Sequence, residues 1–251
     1  MNAKFDLICQ HRSGQGTNIL QEFLYGFRQG IPIALGYIPV SFTFGLMAVN
    51  GGISVLAAIF ISMTNLTSAG QFAGVSLIIS GAPLYEISLA TFVINIRYAL
   101  MSLSLSQKVP INMPLLKKCI MAFGITDEIF AVASMEEKEV TFPYMMGLIS
   151  LPYWGWALGT AAGAMASSVL PSFLQSAMGI ALYAMFIALF IPAAKKSTAA
   201  LVVVVVAVCI SSMLSWTPCF KAISSGWSII ISAVSASAVG ALLFPKEVDE
   251  R

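Results

Sequence analysis

The distribution of hydrophobic residues along the chain predicts a polytopic membrane protein. The 79 residues between Arg28 and Lys108 carry only two charges, and residues 140–244 carry only three. Because a spanning helix needs about 20 predominantly apolar residues, these stretches hold seven or eight hydrophobic segments. The apolar runs lie at residues 31–49, 53–80, 84–105, 119–135, 142–169, 173–193, 199–216 and 227–244. We therefore predict an all-α fold, a polytopic transmembrane helix bundle.

The second apolar run, at residues 53–80, is longer than one span requires. Its centre, residues 65–71, reads Asn-Leu-Thr-Ser-Ala-Gly-Gln and is polar, small and glycine-containing. Non-helical backbone at membrane depth is tolerated only where protein or a water-filled cavity satisfies its polar groups. The pattern therefore predicts a broken or re-entrant element at about 53–80 that lines the protein interior.

The basic residues predict the orientation of the first half. Three of them lie within the first 28 residues, which favours a cytoplasmic N-terminus. If residues 53–80 return to the side they came from, the three lysines of residues 108–118 are also cytoplasmic. The same number of membrane crossings leaves Lys195 and Lys196 outside. The basic residues of the second half therefore disagree with the rule that basic loops are cytoplasmic.

Composition and charge exclude several other classes. Hydrophobic residues make up 58% of the chain and charged residues 10%, against about 45–50% and 25% in soluble proteins. The net charge is +2 and the basic residues are not clustered, so the sequence does not indicate a nucleic-acid-binding protein. The four cysteines lack CxxC spacing and the one histidine, His11, lacks partner ligands. No metal and no cofactor is therefore predicted.

The same pattern divides the chain into three parts. Residues 1–26 are predicted to be a polar cytoplasmic leader, because they lack the continuous apolar run of a cleaved signal peptide. Residues 27–245 are predicted to form a single transmembrane domain, and residues 246–251 a short charged tail.

Two of the predicted helices carry small residues at every fourth position. Such stripes let helix backbones approach closely, and we interpret them as internal packing, with docking of another subunit as the alternative. The stripes are Gly155, Gly159, Gly163 and Ser167, and Ser228, Ser232, Ala236 and Gly240.

Charged residues inside the apolar runs are the first candidates for function, because each costs about 2.5–3.5 kcal/mol at the bilayer centre. Glu86 is close enough to a helix start to reach the interface. Arg97 can pair with Asp127 or Glu128 if their helices pack. Such an ion pair is either functional or purely structural. The second carboxylate then has no basic partner. Burial disfavours its charged form, so we predict proton coupling at Asp127 or Glu128.

Polar side chains near these charges suit a small zwitterion. A half-helix N-terminus binds a carboxylate, a carboxylate binds an ammonium, and apolar walls hold an aliphatic side chain. The predicted substrate-binding residues are Asn65, Thr67, Gln71, Asn95 and Arg97. By itself this pattern predicts a transporter with a site near the bilayer midplane and does not name the solute.

Several motifs resemble, in order and spacing, those of the AzlC (YgaZ/BrnF) family, the large subunits of branched-chain amino acid exporters. They are Phe-Arg-Gln-Gly-Ile-Pro at 27–32, Gly-Tyr-Ile-Pro at 36–39, Thr-Ser-Ala-Gly-Gln-Phe-Ala at 67–73, Asn-Ile-Arg-Tyr at 95–98 and Thr-Asp-Glu-Ile-Phe-Ala at 126–131. The resemblance implies export of valine, leucine, isoleucine and often methionine, driven by the proton gradient. It also implies a small AzlD-type membrane partner and a bacterial plasma-membrane location. Tyr98 stands where many members have histidine, so a proton role of that histidine would pass to a carboxylate here.

Two other functions are alternatives to transport. An intramembrane enzyme would need a nucleophile with a base, or a metal site, and the apolar runs contain no histidine and no Gly-x-Ser-x-Gly motif. We therefore predict that the protein is not an enzyme. A structural or sensor subunit that transports nothing is the remaining alternative.

Overall fold

The computed structural model describes residues 19–171, 197–217 and 223–244, with single positions at 173, 180, 187, 191, 194, 195 and 220. Every regular element in these residues is helical, so the predicted all-α class is confirmed. The predicted segment 173–193 lies outside the continuously described residues. The helices are α1 (Ile19–Asn50), α2 (Val55–Thr64), α3 (Ser68–Ile79), α4 (Leu84–Ser106), α5 (Leu115–Phe123), α6 (Asp127–Ser134), α7 (Phe142–Ala166), α8 (Thr198–Trp216) and α9 (Ser225–Leu243).

Four of these helices, α1, α4, α8 and α9, are long and apolar enough to cross a membrane. The chain is therefore a helical membrane protein, while the predicted total of seven to eight segments stays a prediction. Helix α1 begins earlier than its apolar run and takes in residues 19–26 of the predicted leader. Glu22 lies in its first turn, where a negative charge complements the helix dipole.

The break predicted in the second apolar run is present. Helix α2 ends at Thr64, α3 begins at Ser68, and residues 65–67 between them are not helical. A Cβ atom at Gly51, just before α2, would overlap the side chain of Ile79 at the end of α3. The element therefore begins and ends at the same place, as the predicted re-entrant element would.

The run at 119–135, predicted as one continuous segment, is also broken, so that prediction is wrong. Helix α5 ends at Phe123 and α6 begins at Asp127. Lys108 Nζ, just after α4, donates to the backbone oxygens of Ser134 (2.5 Å), the last residue of α6, and of Glu136 (2.8 Å), just beyond it. Since α5 follows α4 after a short loop, α5–α6 is a second re-entrant element.

Local chemistry explains this second break. Gly124 lies against the side chain of Ile149, where a Cβ atom would overlap it. The Thr126 hydroxyl accepts the backbone N–H of Ile129 at 3.3 Å and so caps a new helix. A threonine followed by acidic residues is a helix-start signal, but the apolar run around it hid this signal from the hydropathy pattern.

The start of α1 marks one face of the molecule, which we name the N-terminal face. The Thr141 hydroxyl, just before α7, donates to Glu22 at 2.7 Å. Gln29 Nε2 donates to Glu136 Oε1 at 2.9 Å. Together with the Lys108 contacts, these bonds place the ends of α4 and α6 and the start of α7 at this face.

The start of α4 marks the opposite face. There the Glu86 carboxylate accepts the hydroxyl of Ser224 (2.5 Å) and the N–H of Gly226 (2.9 Å), at the start of α9. Near the other end of α9, Gly240 packs against Val203 near the start of α8. Thus α8 begins at the N-terminal face, α2–α3 enters from the opposite face, and α5–α6 enters from the N-terminal face.

Helices α1 and α7 run parallel and form the most extensive helix pair. Cβ atoms at Gly26 of α1 and at Gly159 and Gly163 of α7 would overlap backbone atoms of the other helix. The first small-residue stripe therefore serves internal packing, as predicted. In the second stripe, Gly240 lies so close to the side chain of Val203 that a Cβ atom there would overlap it, so this residue also serves packing within the chain.

Candidate functional site

The tips of the two re-entrant elements face one another in the interior, beside the middle of α1, α4 and α7. Between them lies a narrow cleft with room for about one water molecule. The residues that line it are Tyr37, Leu66, Thr67, Ser68, Tyr98, Thr126, Asp127, Glu128 and Trp156.

Arg97 of α4 and Asp127 of α6 form an ion pair. Arg97 Nη1 lies 2.8 Å from Asp127 Oδ2, and the side chains are 39% and 30% exposed. The predicted pairing of Arg97 with one carboxylate of the Asp-Glu pair is therefore confirmed for Asp127. Arg97 Nε is buried and has no acceptor among the described residues.

Glu128, the neighbouring carboxylate, has a different partner. Its Oε2 lies 2.5 Å from the hydroxyl of Tyr37 on α1, and that hydroxyl lies 2.6 Å from Thr126 Oγ1. A phenol has one proton, so the Tyr37 hydroxyl donates to Glu128 or to Thr126, but not to both at once. Asp127 thus neutralises a cation, whereas Glu128 is held by a neutral group.

The tip of the first element is joined to α4. The Thr67 hydroxyl donates to Asn95 Oδ1 at 3.0 Å and accepts the hydroxyl of Tyr98 at 3.1 Å. Thr67 is the N-cap residue of α3, but its side chain makes no capping bond. The buried start of α3 is therefore uncapped, whereas the start of α6 is capped by Thr126 and carries two carboxylates in its first turn.

Gln71, in the first turn of α3, is 1% exposed. Its Oε1 accepts the indole N–H of Trp156 on α7 at 2.9 Å. Its Nε2 has no partner among the described residues. Ser62 of α2 also shares a hydrogen bond with Thr160 of α7 at 2.7 Å, so the first element is fastened to α7 on both sides of its tip.

The predicted site residues are thus brought to one region, at different distances from the cleft. Thr67, Asp127 and Glu128 line it. Asn95 and Arg97 bond to residues that do. Gln71 lies behind Trp156, and Asn65 ends α2, where its backbone N–H bonds Ile61. Among the described residues, no cluster of histidine, cysteine or carboxylate side chains could hold a metal ion.

Sequence reasoning missed Tyr37 and Trp156. An uncharged aromatic residue in an apolar run gives no signal of burial cost, although Tyr37 stands in the Gly-Tyr-Ile-Pro motif. Glu86, which the sequence placed near a helix start within reach of the interface, has a structural role there. Glu86 is 2% exposed, because the start of α9 packs over it and supplies two hydrogen-bond donors.

Comparison with known proteins places this arrangement in a family. The family model described as AzlC protein matches residues 32–170. The chain belongs to the AzlC family. Both re-entrant elements and every residue that lines the cleft lie within the matched region.

Several known membrane proteins are similar to the chain. The "Inner membrane protein YgaZ" of Escherichia coli (strain K12) is 30% identical over 193 residues, which cover 72% of this chain and 78% of YgaZ. An "Uncharacterized membrane protein" of Archaeoglobus fulgidus is 35% identical over 175 residues, 67% of this chain and 76% of its own length. One of Helicobacter pylori (strain 26695) is 29% identical over 208 residues, 76% and 88% of the two chains. No solved structure matches the chain. This AzlC-family chain is therefore, like its relatives, a membrane protein.

Proposed function

We propose that this AzlC-family protein is a secondary active exporter of valine, leucine, isoleucine, methionine and other hydrophobic amino acids, driven by the proton gradient. One observation carries the proposal. Two re-entrant elements enter from opposite faces and meet at a polar cleft that contains a carboxylate, Glu128, without a basic partner among its hydrogen bonds. Discontinuous helices that meet near the midplane are typical of transporter binding sites.

The cleft offers a complementary group for each part of an amino acid. The uncapped start of α3 suits the substrate carboxylate, because the backbone N–H groups and the dipole at a helix N-terminus favour an anion. Glu128 suits the ammonium group, and Leu66 and Trp156 provide apolar surface for an aliphatic side chain. The cleft holds only about one water molecule as it stands. Loading therefore requires one re-entrant tip to move, as alternating access demands.

Proton coupling follows if Glu128 binds either a proton or the substrate ammonium, but not both at once. Asp127 is less suited to this exchange because it neutralises Arg97. Proton entry through Glu128 would then release the substrate on the outside. One charge that crosses 100 mV supplies about 2.3 kcal/mol, enough for nearly 50-fold accumulation.

The distribution of basic residues supports a cytoplasmic N-terminal face. The loop and half-helix that carry Lys108, Lys117 and Lys118 belong to this face, and so does Lys195, just before α8. If α2–α3 were the only re-entrant element, the number of membrane crossings before Lys195 would place that residue outside. The second re-entrant element removes that conflict with the positive-inside rule.

The family also suggests a small AzlD-type membrane subunit as partner and a bacterial plasma membrane as location. Co-expression of a tagged chain with an AzlD-type small subunit, followed by purification in mild detergent, tests the complex. A stable complex of the two chains is the expected result.

Transport itself is tested in proteoliposomes preloaded with labelled valine. Acidifying the outside should accelerate valine release, and internal leucine, isoleucine or methionine should slow it, whereas lysine should not. Cells that lack the protein should accumulate valine when fed a valine dipeptide. Proteoliposomes without proton-stimulated release, together with cells without accumulation, would favour the sensor or structural alternative.

A further inference from the structure

A chain of contacts joins the tips of the two re-entrant elements through α1 and α7. Tyr37 of α1 bonds Glu128 and Thr126 at the second tip. The ring of Tyr37 packs edge-on against Trp156 of α7, with centroids 5.2 Å apart and an interplanar angle of 79°. The Trp156 indole N–H donates to Gln71 in the first turn of α3. The two aromatic residues thus lie between the proposed proton site and the proposed carboxylate site.

The Tyr37 hydroxyl is placed to respond to the protonation state of Glu128. When Glu128 is charged it can only accept, so the single Tyr37 proton points to it. When Glu128 is protonated it can donate to Tyr37, whose own proton is then free to bond Thr126. Among the described residues, the other charged or titratable groups that face this site are Asp127 on the same helix and Arg97 and Tyr98 on α4.

Trp156 fixes the other end of the chain. Because an indole N–H can only donate, it sets the orientation of the Gln71 amide, with Oε1 toward the indole. Gln71 Nε2 is then left buried without an acceptor among the described residues. A shift of the Tyr37 ring would move the Trp156 indole and, with it, the first turn of α3.

We propose that Tyr37 and Trp156 are positioning residues that transmit proton binding at Glu128 to the start of α3. This inference rests on the proposed function, because it assigns a coupling role within a proton-driven exporter. Neither residue needs to contact the proton or the substrate carboxylate. Their role is to make the geometry of one re-entrant tip depend on the state of the other.

The test compares two modes of transport in the same proteoliposomes. Net efflux of valine under a proton gradient requires coupling, whereas exchange of internal for external valine at equal pH requires only the binding site and its movement. Tyr37→Phe keeps the ring and removes the hydroxyl, and Trp156→Phe keeps an aromatic ring and removes the indole N–H. Tyr85→Phe and Trp154→Phe are matched controls, because these side chains are 65% and 54% exposed.

We expect net efflux to fall about tenfold to hundredfold in Tyr37→Phe, the range for loss of a hydrogen bond to a charged group. Trp156→Phe should reduce net efflux as well, and in both variants net efflux should fall by a larger factor than exchange, because both residues also line the cleft; the controls keep both modes. If net efflux and exchange fall together in both variants, or neither falls, the inference is overturned. Size-exclusion profiles of each variant report whether it is folded. Absence of proton-driven efflux from the unmodified protein would instead overturn the proposed function and this inference with it.

Discussion

At the scale of single residues, two adjacent carboxylates at one helix start have different environments. Asp127 pairs with a guanidinium from α4, while Glu128 bonds a phenol from α1. Adjacent residues of a helix point about 100° apart, so they reach different neighbours. This divergence lets one carboxylate keep its charge and leaves the other for exchange of a proton.

The ion pair gives a prediction for stability. Asp127→Asn should leave Arg97 unpaired, and Arg97→Gln should leave Asp127 unpaired. Breaking a buried pair destabilises by about 3–5 kcal/mol, and we expect less here because about a third of each side chain is exposed. The double variant Arg97→Gln/Asp127→Asn should melt above either single variant in detergent. Strictly additive losses would show that the two side chains do not interact.

Glu86 gives a second prediction. Glu86→Ala should remove the acceptor for two donors at the start of α9 and lower stability by about 1–3 kcal/mol, measured by thermal unfolding in detergent. Glu86→Gln keeps one acceptor oxygen and should lie between Glu86→Ala and the unmodified protein. Equal melting temperatures for Glu86→Ala and the unmodified protein would refute the capping role.

The sequence indicated the charged part of the site and not its aromatic part. Burial cost singles out Arg97, Asp127 and Glu128 because a charge in an apolar run is conspicuous. Tyr37 and Trp156 are ordinary in such runs, and only the packing of α1 against α7 brings them between the tips. Side-chain partners depend on tertiary contacts, which periodicity does not encode.

At the scale of elements, the two re-entrant hairpins differ in how visible they are in the sequence. The first is long, with a polar centre at 65–71, and its break was predicted. The second is interrupted at Gly124 and Thr126 by the close approach of Ile149 and by a helix cap. Close approach is a property of the fold, so the hydropathy pattern predicted one continuous segment.

The α1–α7 pair gives a prediction at this scale. A methyl group at Gly163 would overlap the backbone oxygen of Phe42, so Gly163→Ala should lower stability by about 1–3 kcal/mol. Gly36→Ala is the matched control, because a Cβ atom there has no neighbour within 4 Å and alanine is the better helix former. Thermal unfolding in detergent measures both. A Gly163→Ala variant as stable as Gly36→Ala would contradict the close packing of these helices.

At the scale of the whole molecule, the two re-entrant elements enter from opposite faces, and α1 and α7 run parallel between them. The orientation of this arrangement in the membrane is testable with single cysteines in a cysteine-free background. Ser80→Cys lies at the opposite face, and Asn112→Cys and Ser197→Cys lie at the N-terminal face; all three positions are exposed. A membrane-impermeant maleimide should label Ser80→Cys in intact cells, and the other two only after permeabilisation.

The labelling pattern distinguishes a wrong orientation from a wrong number of membrane crossings. Reversal of all three results would place the N-terminal face outside. Labelling of Ser197→Cys from outside, with Asn112→Cys protected, would contradict the re-entrant nature of α5–α6, because a continuous span there exchanges the sides of every later segment.

The central claim is that Glu128 exchanges a proton for the substrate ammonium, and Glu128→Gln tests it most directly. In proteoliposomes with labelled valine inside and an acidic exterior, we expect this variant to lose proton-driven net efflux by at least about tenfold. Valine exchange should persist with weaker apparent affinity, since a glutamine oxygen still accepts a hydrogen bond from an ammonium. Net efflux at the rate of the unmodified protein would contradict the account.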